Sequence, residues 1–251
     1  MGVDAATVGV VIPTYDERDN IAPLVKAVLA AGENVHAVIV DDNSPDGTGR
    51  IADALAEENS RVTVIHRYTE RGRGTAGRDG FVHCINAGYD YILEMDADFS
   101  HDPKDIPRLV AAARDADVVL GSRRVSGGGE EGRSAIRRFI TAGASLYLRV
   151  MLMVPHVRDC TSGFRCFRRE ALIAADVASV RSKGPSIVQE LLFRCRKMRI
   201  VEAPILFRDR AKGESKFGLK AIFESLLMPP KLWWWELIRP RKDRPGSGLD
   251  I

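Results

Sequence analysis

Five short apolar runs, at 8–12, 35–40, 62–65, 91–95 and 118–120, alternate with stretches whose apolar residues recur at helical spacing. The intervening stretches carry Ile21, Leu24, Val25 and Val28, then Ile51, Ala52 and Leu55, then Phe81 and Ile85, then Ile106, Leu109 and Val110. Apolar runs without polar alternation are strands buried on both faces, the condition of a parallel sheet with helices above and below. Repetition of that unit predicts an α/β fold. The second half is less regular. It predicts a long apolar-faced helix over 136–154, a helix over 186–198 and a strand over 201–207 bent at Pro204. An amphipathic helix over 217–228 is expected to stop at Pro229 and Pro230, because proline donates no amide hydrogen. Residues 127–132, rich in glycine and glutamate, read as a mobile loop, and 245–251 as a disordered tail.

A chain of 251 residues suits one domain, or one domain with a short appendage. Its 37 Lys and Arg nearly balance 34 Asp and Glu, and a net charge of +3 argues against a nucleic-acid binder. The basic residues crowd 133–138, 194–199, 208–216 and 239–244, patches that suit phosphate ligands, an anionic membrane or plain solvation. Cys84, Cys160, Cys166 and Cys195 lack zinc-ligand spacing and read as reduced thiols of a cytosolic protein. The N-terminal stretch has no basic region and runs straight into a strand, so no signal peptide is expected. The longest apolar stretch, 142–154, is interrupted by Arg149 and falls short of the roughly 20 residues a spanning helix needs.

The sharpest motif is Asp96, Ala97 and Asp98 at the end of a predicted central strand. Ligands of open α/β sheets gather at the carboxyl ends of strands. Carboxylates at i and i+2 point the same way, and such a pair can hold Mg²⁺ or Mn²⁺ whose other ligands are diphosphate oxygens and water. Two further strand ends carry polar residues on the same rim. Asp41 and Asp42 can accept hydrogen bonds from a base or ribose, or form an Asx turn; Asn43 and Ser44 are candidates to make that turn and leave the aspartates free. Tyr15 is placed to border a base, and Glu17 to bond a ribose or cap a helix. The glycine-rich run 72–77 lacks both the phosphate-loop and the dinucleotide spacing, and reads as a tight connection before a helix.

The segments VVIPTYDERDNI, VIVDDNSPDGT, RGRGTAGRDGF, YILEMDADFSHDP, VVLGSRRV, RDCTSGFRCFRREAL and FRDRAKGESKF, in that order, resemble the family 2 inverting glycosyltransferases, and most closely the dolichol- or polyprenol-phosphate mannosyltransferases. The resemblance implies a GT-A fold, a Rossmann-like and mostly parallel sheet flanked by helices, and transfer of mannose from GDP-mannose to a dolichyl or polyprenyl phosphate. It implies that Pro13, Tyr15, Glu17, Val40 and Asp42 hold the guanosine, and that Asp96, Ala97 and Asp98 engage diphosphate and metal. It further implies that Arg123, Arg210 and Lys216 are anion-binding residues of the nucleotide-sugar site, and that Arg137 and Thr141 fall in the acceptor-phosphate segment. Asp98, Arg123 and Asp159 are the candidate catalytic residues. Asp159 either orients the acceptor or acts as a base, or else holds its loop through Thr161 and Ser162. His66 and His101, near strand ends, read more readily as polar fillers than as ligands. There are departures: Ser100 stands where many relatives carry glutamine, Arg71 and Arg73 stand in a segment often read LGLGTA, and Gln189 and Glu190 stand where relatives often carry Gln-x-Glu.

The chemistry is coherent with those residues. An acceptor phosphomonoester, with a second pKa of about 6, is already anionic near neutral pH and needs no strong base. The difficulty is repulsion between two anions, which a divalent metal and arginine forks offset. The segment 217–244, with Leu232, Trp233, Trp234 and Trp235 followed by Arg239, Arg241, Lys242 and Arg244, suits the interface of an anionic membrane. A catalytic region over 1–216, this interfacial segment and the tail form the expected organisation, peripheral on the cytoplasmic face, with room for a membrane-protein partner. The alternatives are a glucosyl or amino-sugar transferase using a UDP-sugar, and a non-catalytic nucleotide-sugar-binding subunit.

Overall fold

A computed structural model describes residues 6–131, 135–208 and 219–238, without the side chains of 135–138, 219–223 and 225. The first half alternates strand and helix as expected: β1 (Val8–Thr14), α1 (Arg18–Leu29), β2 (Val35–Asp41), α2 (Thr48–Glu58), β3 (Val62–His66), α3 (Arg73–Asn86), β4 (Tyr91–Glu94), α4 (Ile106–Ala112) and β5 (Val118–Ser122). There follow β6 (Gly129–Glu131), α5 (Ala135–Met151), β7 (Arg165–Arg168), α6 (Arg169–Ala174), α7 (Ile187–Arg194), β8 (Ile200–Pro204), β9 (Leu206–Arg208) and α8 (Leu219–Ile238). A seven-stranded sheet runs in the order β3-β2-β1-β4-β7-β5-β8, parallel except where β7 meets β4 and β5.

Side chains alternate across this sheet. Val10 and Ile12 join one core cluster with α1 and α4, while Val11, Val38 and Val40 join another with α3, α6 and α7. Both faces are therefore closed, and the polar strand ends are the sheet's accessible rim. All four cysteines are free and buried.

Four expectations are corrected. The glycine-rich run is helical: Gly74, Thr75, Ala76 and Gly77 lie in the first turns of α3. Gly72 has φ +135, and a Cβ at Gly80 would collide with Val11, so the glycines let this helix lie against the sheet and the segment before α7. The 127–132 loop contains β6, which pairs in parallel with β9. The bent strand becomes two, with β8 in the large sheet and β9 beside β6. Finally, α8 does not stop at Pro229 and Pro230. Pro230 leaves the carbonyl of Leu226 without its intrahelical donor. The Tyr147 hydroxyl of α5 donates to that carbonyl at 2.8 Å, and buried Met228 and Leu232 anchor the helix on both sides of the prolines. No helix among the described residues is long and apolar enough to cross a membrane.

Candidate active site

The carboxyl ends of β2, β1 and β4 are adjacent: Pro13 pairs with Val40, Thr14 with Asp41, and the Met95 amide donates to the Val11 carbonyl. Just beyond these ends, Asp16, Asn43 and Phe99 have φ of 60, 55 and 60 degrees. Such backbone is costly for residues with a side chain and is held in place by local hydrogen bonds. At β2 these come from Asp41, which accepts the Ser44 amide at 3.1 Å and its hydroxyl at 2.6 Å. Asp41 itself therefore makes the turn, not Asn43 and Ser44 alone. Asp46 does the same for α2, accepting the Thr48 amide at 2.9 Å.

Asp42 is 5 % exposed and tethers rather than stands free. It pairs with Arg67, which also meets Asp79 at 2.9 Å, and it accepts the Gly72 amide at 2.7 Å. The start of α3 is thus tied to the end of β2. Val40 is wholly buried, so its side chain belongs to the core, and only its backbone faces the Thr14 hydroxyl, at 3.4 Å. Ala97 is also buried, whereas Tyr15 is 36 % exposed, with the Arg71 guanidinium 5.6 Å from its ring centre. The Glu17 carboxylate accepts from the Asn20 side chain at 2.8 Å and does not cap α1.

Asp96 lies at the centre of the rim. Nε and Nη2 of Arg73 reach its Oδ1 at 3.1 and 2.8 Å, and its amide donates to Nδ1 of His101 at 3.3 Å. That contact gives His101 an acceptor nitrogen. Burial lowers its pKa, so the ring is neutral near pH 7, stacked on Phe164 at 5.1 Å and edge-on to Phe207 at 5.8 Å. His101 is thus a positioning residue for Asp96, more than a filler. His66 instead bonds Asp53 at 2.7 Å. Asp98 accepts the Ser100 amide at 3.0 Å, which shapes the turn after β4. Burial alone would lower the Arg73 pKa, and the charges of Glu94, Asp96 and Asp98 more than reverse it.

Arg123 sits on the flank, its guanidinium 5.2 Å from the Phe207 ring, and its charge reaches His101 together with those of Asp96 and Asp98. Its fork grips Asp159 and donates to Thr161 at 2.7 Å. Asp159 is fully buried. Burial pushes its pKa up, but Arg123 and Thr161 win and hold it below the ordinary carboxylate range, which unfits it as a base. It holds the loop through Thr161, not through Ser162. Arg165 fixes the same loop by donating to the carbonyls of Ser162 at 2.8 Å and Val188, and burial lowers its pKa to about 10. Glu190 receives the amides of Arg181 and Ser182, which gives it a structural task. Thr141 lies on α5; Arg210, Lys216 and the side chain of Arg137 fall outside the described residues. Sequence reasoning missed Arg67, Arg73 and Arg165, which engage Asp42, Asp96 and the Val188 carbonyl 25, 23 and 23 positions away.

Among the described residues no three His, Cys, Asp or Glu side chains converge as a metal-binding group. Two carboxylates on a partly open rim fit a hard divalent cation that completes its shell with diphosphate oxygens and water.

Comparison with known proteins agrees with this geometry. Residues 9–174 match the model of glycosyl transferase family 2. The chain is 40% identical over 237 residues to the undecaprenyl-phosphate mannosyltransferase of Micrococcus luteus, covering 92% of this chain and 97% of that one. It is 40% identical over 253 residues to the polyprenol monophosphomannose synthase of Mycolicibacterium smegmatis, covering 97% and 94%. The fold resembles glucosyl-3-phosphoglycerate synthase from Mycobacterium tuberculosis, solved with Mn²⁺ and UDP, with TM-score 0.65, 17% identity and coverage of 94% and 81%. With residues 9–174 matched and two relatives 40% identical over more than nine-tenths of both chains, this chain belongs to glycosyl transferase family 2, enzymes of the GT-A fold.

Proposed function

We propose that this enzyme transfers mannose from GDP-mannose to a polyprenyl or dolichyl phosphate, with inversion at the anomeric carbon. The observation that carries the reading is the meeting, on one sheet edge, of the β1 and β2 ends with Asp96 and Asp98, flanked by Arg123. Such an edge suits a nucleoside and its diphosphate, beside which a second anion is to be received. The names of the two relatives supply the sugar and the acceptor class.

Tyr15, Glu17 and Asp42 border the nucleoside, and Asp42 does so indirectly through Gly72 and the start of α3. A divalent ion held by Asp96 and Asp98 supplies positive charge against the departing diphosphate. Arg123, Arg210 and Lys216 serve as anion-binding residues of the nucleotide-sugar site, and Asp159 keeps the Arg123 fork in one orientation. The acceptor oxygen is its own nucleophile, so no side chain need take its proton. Arg137 and Thr141 on α5 receive the same phosphate from the membrane side. Exposed Phe139, Leu146, Val150, Trp234 and Leu237 on α5 and α8 suit contact with a bilayer, where the basic residues beyond α8 meet anionic lipid. The protein then works as a peripheral enzyme on the cytoplasmic face.

Incubation with Mg²⁺ or Mn²⁺, undecaprenyl phosphate and each of GDP-mannose, UDP-glucose and UDP-N-acetylglucosamine tests the reading. Lipid-linked mannose is the expected product. Lipid-linked glucose or amino sugar in its place would refute the donor assignment, and no lipid product under any condition would refute the acceptor.

A further inference from the structure

Glu94 ends β4 two residues before Asp96. Its side chain is 0% exposed, and neither carboxylate oxygen finds a hydrogen-bond donor among the described residues. A buried carboxyl without a donor is uncommon and calls for a reason. The nearest cation is Nη1 of Arg73, at 3.4 Å and too poorly aligned for a hydrogen bond, while the other two nitrogens of the same guanidinium lie on Asp96. One arginine thus stands between two carboxylates and satisfies only one.

We infer that Arg73 is a two-position counter-cation, resting on Asp96 when no divalent ion is held there and moving to Glu94 when Asp96 takes up the ion. This rests on the assignment of Asp96 as a metal ligand. Arg73 covers Oδ1 of Asp96, one of the two oxygens with which that carboxylate would hold a cation, and two cations on one carboxylate repel. Glu94 offers a seat a short side-chain rotation away, with acceptors already desolvated and waiting. Residue 77 on α3 is glycine, which leaves room beside the carboxylate: a Cβ there would lie 2.9 Å from Glu94 Oε1. The backbone does not have to move. The Gly74 amide donates to the Lys183 carbonyl at 2.9 Å and Gly72 is held by Asp42 at 2.7 Å, which clamps the start of α3 while the Arg73 side chain, 23% exposed, is able to turn. Each seat is backed by a carboxylate, so the guanidinium has an acidic partner in either arrangement.

The test is Mn²⁺ binding to the full-length protein without nucleotide, read from the electron paramagnetic resonance of the free ion. The double variant R73M/E94Q removes one positive and one negative charge, so the net charge of the site is unchanged. Its Mn²⁺ affinity should rise about tenfold if the wild-type arginine leaves Asp96 accessible in about one molecule in ten. Affinity equal to or below wild type would overturn the two-position role. In the same titration D96N should lose binding. If D96N binds as wild type does, the metal assignment falls and the two-position role falls with it. If D96N is impaired while R73M/E94Q gains nothing, only the latter falls. A measurement on the unaltered side chains guards against misfolding of the double variant: the Arg73 Nε–H resonance, identified by its loss in R73K, should shift on addition of Mg²⁺. A resonance that stays in place under saturating Mg²⁺ would overturn the proposal.

Discussion

Nε and Nη2 of Arg123 lie 2.7 Å from the two different oxygens of Asp159, a parallel two-point pairing in which the carboxylate is wholly buried. The pair spans the end of β5 and the loop before β7, so it joins the loop to the sheet edge that carries Asp96 and Asp98.

Asp159→Asn should therefore weaken both loop and enzyme. Removing one partner of a buried ion pair costs about 3–5 kcal/mol, which urea unfolding would detect. The pH dependence has a definite sign. Asp159 titrates below the ordinary carboxylate range in the folded protein, so its contribution is complete above the unfolded value of about 3.9 and fades as pH falls through the lower folded value. The variant should show a flatter acid limb of stability than wild type.

Asp98→Asn keeps an oxygen able to accept the Ser100 amide, so the turn survives while the charge goes. Turnover should fall on the order of 10²-fold, the scale of losing one charge-stabilising group in a transition state, with little change in urea midpoint. Arg210→Ala and Lys216→Ala should likewise cut turnover far more than stability. Wild-type rates in either would remove that residue from the anion-binding set.

Gly74→Ala tests the clamp on α3. An added Cβ would collide with the Ser182 carbonyl oxygen and lie 2.7 Å from that of Gly184. Backbone cannot yield as a side-chain tip can, so a loss of about 1–3 kcal/mol is expected, together with weaker GDP binding as Arg73 and Gly72 shift. Calorimetry of unfolding and of GDP binding would measure the two effects separately.

Replacing Trp234 and Leu237, which are 60% and 71% exposed, with serine should reduce binding to vesicles of anionic lipid without loss of fold. Wild-type binding should weaken as salt rises, since the basic segment after α8 contributes through screened charge. Equal partitioning to neutral and anionic vesicles would contradict the electrostatic part.

The parallel half of the fold was legible because each strand there is an uninterrupted apolar run that only a doubly covered sheet accommodates. β7 was not: it contains Arg165 and Arg168, and nothing local announces that Arg165 spends its guanidinium on buried carbonyls. β6 and β9 are three residues each and gain their order from one another. The acidic pair was legible from its place after β4. Its control was not, because Arg73 reaches Asp96 across 23 positions and Asp42 holds Arg67 across 25. The proline stop failed for a similar reason. Helix rules weigh the amide that Pro230 lacks, and the hydroxyl that replaces it belongs to another helix.

That hydroxyl has a mechanical consequence. Tyr147 on α5 bonds the Leu226 carbonyl of α8, and Trp233 on α8 returns the link to the Met151 carbonyl at the far end of α5, at 2.7 Å. Pinned at two points, the pair forms a stiff raft, and tilting one member carries the other with it. Any surface that seats Trp234 on α8 thereby constrains the attitude of α5, and of Thr141 with it.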